Sequence, residues 1–329
     1  MESRSLGKTG LTVSTLGFGC GNVGGLIIRG TPAERERAVA RAIELGINYF
    51  DTAPSYGDGQ SEQNLGQVLK ALKPKVYVGT KFRVDGSDLA DIPRAVARSL
   101  DASLRRLGLE RVDLLQLHNH IEPARGAGAV GLKDVLGEIV PAVRKLVQQG
   151  KVGFCGMTAL GATPSLHQAV DSGAIDTAQV CYNLLNPSAG VTVPPGFPAQ
   201  DFGNLLSRTR ERRMGVIVIR ALAAGALSGV EERHPLAVPT VDPIATAPDY
   251  RTDVARARAL QSLVSEGHVA NLIEASVRLA VSSDAVSTVL VGYSSLEHLE
   301  SAAAAVNRGP LPRAVLDRLT ALWSSLAAR

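Results

Sequence analysis

Gly46-Ile47-Asn48-Tyr49-Phe50-Asp51-Thr52-Ala53-Pro54-Ser55-Tyr56-Gly57 reads as a helix stop, a short apolar strand over Asn48–Thr52, and a polar turn. Ser61 with Glu62 then marks a cap, and Asn64–Leu72 has the apolar spacing of a helix. The same rhythm recurs along the chain. Strands are expected at Thr15–Gly19, Asn48–Thr52, Val76–Lys81, Val112–His118, Val152–Met157, Thr177–Tyr182, Gly215–Ile219 and Val286–Val291. Between them lie helical segments such as Ala33–Leu45, capped by Thr31-Pro32, and Ser165–Asp171, capped by Thr163-Pro164. Several helices should stop at Gly46, Gly108 and Gly150.

Regular strand-helix alternation forces parallel neighbours, because each helix returns the chain to the starting edge with a right-handed crossover. Closure after eight strands gives the expected α/β class, a (β/α)8 TIM barrel, and 329 residues suit one such domain over 1–329. An open doubly wound sheet fits less well. Its Gly-x-Gly-x-x-Gly turn should open a helix, whereas Gly17-Phe18-Gly19-Cys20-Gly21 leads into an irregular glycine-rich stretch. Ahead of the first strand, Ser5–Ser14 reads as an N-terminal β-hairpin placed to plug the base of the barrel.

Apolar residues make up 45% of the chain and charged residues 20%, which favours a large buried core over disorder. The net charge of +4 is small and its Lys and Arg are scattered, so neither nucleic acid nor a membrane is an expected partner. Cys20, Cys155 and Cys181 lie far apart, with no Cys-x-x-Cys pair and no histidine at ligand spacing, which argues against disulfides and metal. Neither an export signal nor a membrane span is expected, and a cytoplasmic location follows from the thiols. Nothing in the sequence fixes an oligomeric state.

Three stretches break the rhythm, each after a strand: Asn119–Gly131, Asn186–Gly203 and Glu231–Thr252, the last two rich in proline. Loops after barrel strands lie on the C-terminal face, so these long loops should wall and cover a small-molecule substrate. At the same face Asp51 ends the second strand, Tyr56 follows in its loop, Lys81 ends the third and His118 the fourth. A phenol has a reference pKa of about 10, and a neighbouring ammonium favours its ionised form. Asp51 can act as counter-ion to Lys81, and His118 can hydrogen-bond a substrate carbonyl while Tyr56 delivers a proton. Singly, each residue is as well explained by a turn, a solvated charge or a packed ring; together at adjacent strand ends they suit carbonyl reduction. His120 and His234 lack that convergence and stay unassigned.

The run from Gly46 to Gly57, continuing through Ser61-Glu62 and Leu65-Gly66, is similar to the signature of the aldo-keto reductase family. Lys81 in Val78-Gly79-Thr80-Lys81 and His118 in Asp113-Leu114-Leu115-Gln116-Leu117-His118 match the family's other catalytic positions. Gly150-Lys151-Val152-Gly153 and Gln179 to Asn183 match its fifth and sixth strands. The resemblance covers essentially the whole chain. It implies a barrel with NADP or NAD extended across its C-terminal face and catalysis by Asp51, Tyr56, Lys81 and His118. It also implies cofactor contacts from Gly19, Cys20, Gly21 and Asp51, and from Thr158 and Gln179 at the nicotinamide amide. The turn of Ile219, Arg220, Ala221, Leu222, Gly225 and Leu227 would follow the pyrophosphate, and Gly292, Tyr293, Ser294 and His298 would hold the adenosine end. Backbone amides in such turns suit phosphate independently of the resemblance.

The chain departs from the family pattern in four places. Thr158-Ala159 stands where relatives have Ser-Asn, and Ile219-Arg220-Ala221 replaces aromatic-Ser-Pro, which adds a guanidinium suited to phosphate. Ser294 occupies the position of a basic residue that recognises a 2′-phosphate, and Ser301-Ala302 replaces Glu-Asn, so both NADP and NAD stay open. The expected activity is reduction of an aldehyde, ketone or sugar carbonyl. The alternatives are an NAD-linked sugar or alcohol dehydrogenase working oxidatively, and a nicotinamide-binding accessory subunit with little catalysis.

Overall fold

Short extended runs rich in Val, Ile, Leu and Phe form the eight strands of a closed parallel barrel in a computed structural model that describes residues 1–126 and 128–327. The N-terminal hairpin contributes β1 (Ser3–Ser5) and β2 (Thr12–Ser14). The barrel begins with β3 (Leu16–Gly19), β4 (Tyr49–Asp51), β5 (Tyr77–Phe82) and β6 (Val112–Leu117). Two short strands, β7 (Ile121–Glu122) and β8 (Val130–Gly131), pair with each other in the loop that follows. The barrel resumes with β9 (Val152–Thr158), β10 (Thr177–Cys181), β11 (Gly215–Ile219) and β12 (Thr288–Gly292), which closes onto β3 through Val289–Leu16 to Gly292–Gly19. Eight parallel strands with helices between them are the (β/α)8 barrel expected from the alternation.

Element ends differ from expectation where turns and side chains take up the backbone groups at a strand or helix end. Thr15 lies outside β3, its N–H and hydroxyl both donating to the Glu2 carbonyl at 3.0 and 3.1 Å. The last strand starts at Thr288 because Val286 closes a turn onto Ser283 at 3.2 Å. The helix expected from Asn64 starts at Gln60, so Ser61 and Glu62 are interior residues rather than a cap. The Ser61 hydroxyl donates to the Cys20 carbonyl at 2.8 Å, and the Glu62 carboxylate joins the Thr80 hydroxyl and the Arg106 guanidinium, each at 2.6 Å. Thr31 does cap Pro32–Glu44 reciprocally with Glu34, whereas Thr163 is the first residue of its helix and its hydroxyl donates to Asp201.

The hairpin closes the N-terminal end of the barrel. Leu6 and Val13 are fully buried against the inward-facing Tyr49, Leu114 and Ile217. Gly7 permits this approach: its φ is +54°, and a Cβ there would lie 2.2 Å from the Gly215 nitrogen. Among the described residues no helix is long and apolar enough to cross a membrane.

Candidate active site

Strand alternation points every second side chain into the barrel, so Tyr49 and Asp51 share the interior face of β4, and Gln116 and His118 share the direction of β6. Asp51 and Lys81 are each 1% exposed and form an ion pair, with the ammonium also donating to the Thr52 carbonyl at 2.9 Å. Burial opposes the Lys81 charge, but Asp51 and the Tyr56 hydroxyl outweigh it and raise its pKa above the usual value, so the group stays an ammonium. Its Nζ lies 4.8 Å from the centre of the Tyr56 ring. The His118 ring stands edge-on to Tyr56, with centroids 5.9 Å apart and planes at 87°. The His118 backbone N–H is anchored on the Phe82 carbonyl at 2.8 Å. Burial, then the charges of Lys81 and Arg83 and the nearby His120, pull the His118 pKa down to about 3. At neutral pH the imidazole is uncharged and offers one N–H as a donor. Asp51, Tyr56, Lys81 and His118 thus converge at the C-terminal mouth.

Three further donors reach Asp51. Its Oδ2 accepts from the Tyr49 hydroxyl at 2.9 Å, Gln116 Nε2 at 2.8 Å and Gln179 Nε2 at 2.7 Å. The sequence reading missed Tyr49 and Gln116, although each precedes a singled-out residue by two and therefore shares its side of the strand. Gln179, expected at a nicotinamide amide, commits its own amide N–H to Asp51.

The expected cofactor positions form a band across the mouth. Gly19 ends β3, the Cys20 N–H bonds to the Asp51 carbonyl at 2.9 Å, and a Cβ at Gly21 would lie 3.4 Å from the Tyr56 ring. Thr158 ends β9, and its buried hydroxyl has no partner among the described residues. Ile219 ends β11 half-buried, and Arg220 follows at a φ of +55°, its guanidinium donating, among the described residues, only to the Asp242 carbonyl at 3.2 Å. Leu222 and Gly225 are partly exposed in the following turn, whereas Ala221 and Leu227 are buried. Gly292 is exposed at the end of β12, and His298 lies in the first turn of Leu296–Asn307, its ring 5.8 Å from that of His234.

Not every expected side chain faces this band. The Tyr293 ring packs edge-on against Phe18 at 4.8 Å inside the core, and the side chains of Cys20 and Leu227 are 1% exposed. The Ser294 hydroxyl is spent on the Gly24 carbonyl at 2.7 Å. At these positions only the backbone is free to meet a ligand. The residues nevertheless fit a dinucleotide. An orphan hydroxyl at Thr158, bare glycine backbone at Gly21 and Gly292, and a guanidinium with one carbonyl partner supply an amide contact, room for flat rings and a phosphate partner.

The three long loops frame a cavity of about 310 Å³, lined among others by His120, Glu122, Leu160, Gln200 and Ile244. Glu122 is held on the small β7–β8 pair, and its neighbour Ile121 is bonded to Leu160 and Ala162. Its carboxylate has no cationic partner among the described residues.

Comparison with known proteins agrees with this architecture. The family model for the aldo/keto reductase family matches residues 15–324. The chain is 32% identical to L-galactose dehydrogenase of Arabidopsis thaliana, over 93% of this chain and 88% of that one. It is 32% identical to D-threo-aldose 1-dehydrogenase of a Pseudomonas species over 56% of this chain and 62% of that one, and 25% identical to pyridoxal 4-dehydrogenase of Microbacterium luteolum over 91% of each. The fold is similar to that of a holo-form aldo-keto reductase from Bacillus halodurans, with a TM-score of 0.71, 23% identity, and coverage of 99% of this chain and 96% of that one. With the barrel and the family match both in hand, the chain belongs to the aldo/keto reductase family, NADP- or NAD-dependent oxidoreductases of carbonyl compounds.

Proposed function

We propose that the mouth of this barrel interconverts a carbonyl and an alcohol, with Tyr56 giving the proton in the reductive direction. The observation that carries this reading is the convergence of Lys81, Tyr56 and His118 above the buried Asp51. A nicotinamide, when bound, supplies or accepts the hydride. The Tyr56 Oη holds the proton that completes addition, and the Lys81 ammonium beside it stabilises the phenolate left behind. The neutral His118 donates its N–H toward the substrate oxygen, where negative charge develops. Asp51 keeps the ammonium oriented in a site that excludes water. We assign the cofactor to the band from Gly19–Gly21 through Thr158 and Arg220–Gly225 to Gly292 and His298, and the substrate to the cavity containing His120 and Glu122.

The relatives named for sugar dehydrogenation support an oxidative sugar reaction as a second reading. One domain over 1–329 and a reducing, cytoplasmic setting complete the proposal, the latter supported by three free, buried thiols. Tyr56→Phe should lower kcat by about 100-fold or more, while nicotinamide affinity, read by fluorescence titration with NADPH and NADH, stays within about twofold. Undiminished turnover by this variant would remove Tyr56 from the proton-donor role.

A further inference from the structure

The two oxygens of Asp51 have different partners. Oδ1 faces the Lys81 ammonium, whereas Oδ2 collects three neutral donors from three strands: Tyr49 on β4, Gln116 on β6 and Gln179 on β10. The layer beneath is apolar, built from Leu6, Val13, Leu114 and Ile217 around the Tyr49 ring. A polar cluster set above such a layer is expensive unless its members satisfy one another, so its presence calls for a reason.

Space for the cluster is built into the neighbouring strand. A Cβ on Gly79 would lie 2.5 Å from the Tyr49 hydroxyl oxygen and 3.2 Å from Gln116 Nε2. Only a bare backbone at that point of β5 lets both donors reach the carboxylate. Burial, then Asp51, raise the Tyr49 phenol well above its usual pKa, so Tyr49 remains a donor and does not titrate.

We propose that Tyr49, Gln116 and Gln179 are positioning residues for the reaction, locking Asp51 through Oδ2 so that Oδ1 is reserved for the ammonium beside Tyr56. With Oδ2 held by three donors, rotation of the carboxylate about its own axis would break all three bonds at once. Lys81 then has one N–H on Asp51 and one on the Thr52 carbonyl, leaving the third for Tyr56. None of the three donors needs to touch substrate, and Gln179 in this role acts on the site through Asp51. The inference rests on the reading of Tyr56 as proton donor.

The test is a double-mutant cycle with Asp51. Tyr49→Phe keeps the packed ring and removes only the donor, while Gln116→Met keeps the shape of the side chain and removes the donor together with an Oε1 that has no partner among the described residues. Each variant should lose about tenfold in kcat, with KM and nicotinamide affinity within about twofold. In an Asp51→Asn background the same substitutions should cost less than about twofold more. Gly79→Ala, which displaces the Tyr49 hydroxyl from the other side, should reproduce the kcat loss, with circular dichroism confirming a folded barrel. Unchanged kcat in both donor variants, or a loss undiminished in the Asp51→Asn background, overturns the proposal. A different result, full turnover by Tyr56→Phe, would strike the proton-donor reading instead and leaves the coupling of Tyr49 to Asp51 separately measurable.

Discussion

Lys81 Nζ lies 4.8 Å from the centre of the Tyr56 ring, held there by a buried carboxylate on the adjacent strand. Charge, counter-charge and phenol therefore occupy one low-dielectric site, where each governs the others far more than in water.

Removing the ammonium should damage stability as well as activity. Lys81→Met leaves Asp51 buried in the barrel with neutral donors only, a loss of about 3–5 kcal/mol for breaking a buried pair. The Lys81→Met, Asp51→Asn double variant should recover much of that stability yet stay inactive. Urea denaturation followed by circular dichroism measures the first effect, and a double variant no more stable than Lys81→Met would show that the pair is not coupled.

Acid should destabilise the fold through His118. The ordinary histidine value is 6.5 and the folded one about 3, so below pH 6.5 the unfolded chain binds a proton that the folded chain refuses. Stability contributed by the neutral ring is complete above 6.5 and declines as pH falls toward 3, by up to about 1.4 kcal/mol per pH unit. His118→Gln should flatten this part of the stability profile, while its kcat drops with the loss of an aligned donor. An equal slope in both proteins between pH 6 and pH 4 would place the acid sensitivity elsewhere.

Glu122 should matter to some substrates and not to others. A carboxylate with no cationic partner among the described residues suits hydroxyl groups, from which it can accept without a competing counter-ion. Glu122→Ala should raise KM about tenfold for a polyhydroxylated aldehyde or lactol and leave a simple aliphatic aldehyde within about twofold. Parallel loss for both substrates would indicate a structural role for Glu122.

Much of the site could be read in advance because strand periodicity is local. Asp51, Lys81 and His118 belong to the ends of apolar runs, and eight such runs in alternation with helices determine which end each occupies. Side-chain commitments could not be read that way. Nothing local distinguishes the Tyr293 ring, which packs on Phe18, from a residue facing a ligand, and Ser61 looks like a cap until Cys20 arrives from 41 residues away.

The sequence by itself determined the alternation, the number of strands and the residues at their mouths, since these follow from hydrophobic period and turn chemistry along contiguous chain. Only the tertiary structure decided that Tyr49, Gln116 and Gln179 share one oxygen of Asp51, and that Gly79 must be bare to allow it. The Gln116 and Gln179 bonds join strands 65 and 128 residues apart, and barrel closure and register, not local preference, bring those two donors within 3 Å of the carboxylate that Tyr49 meets along its own strand.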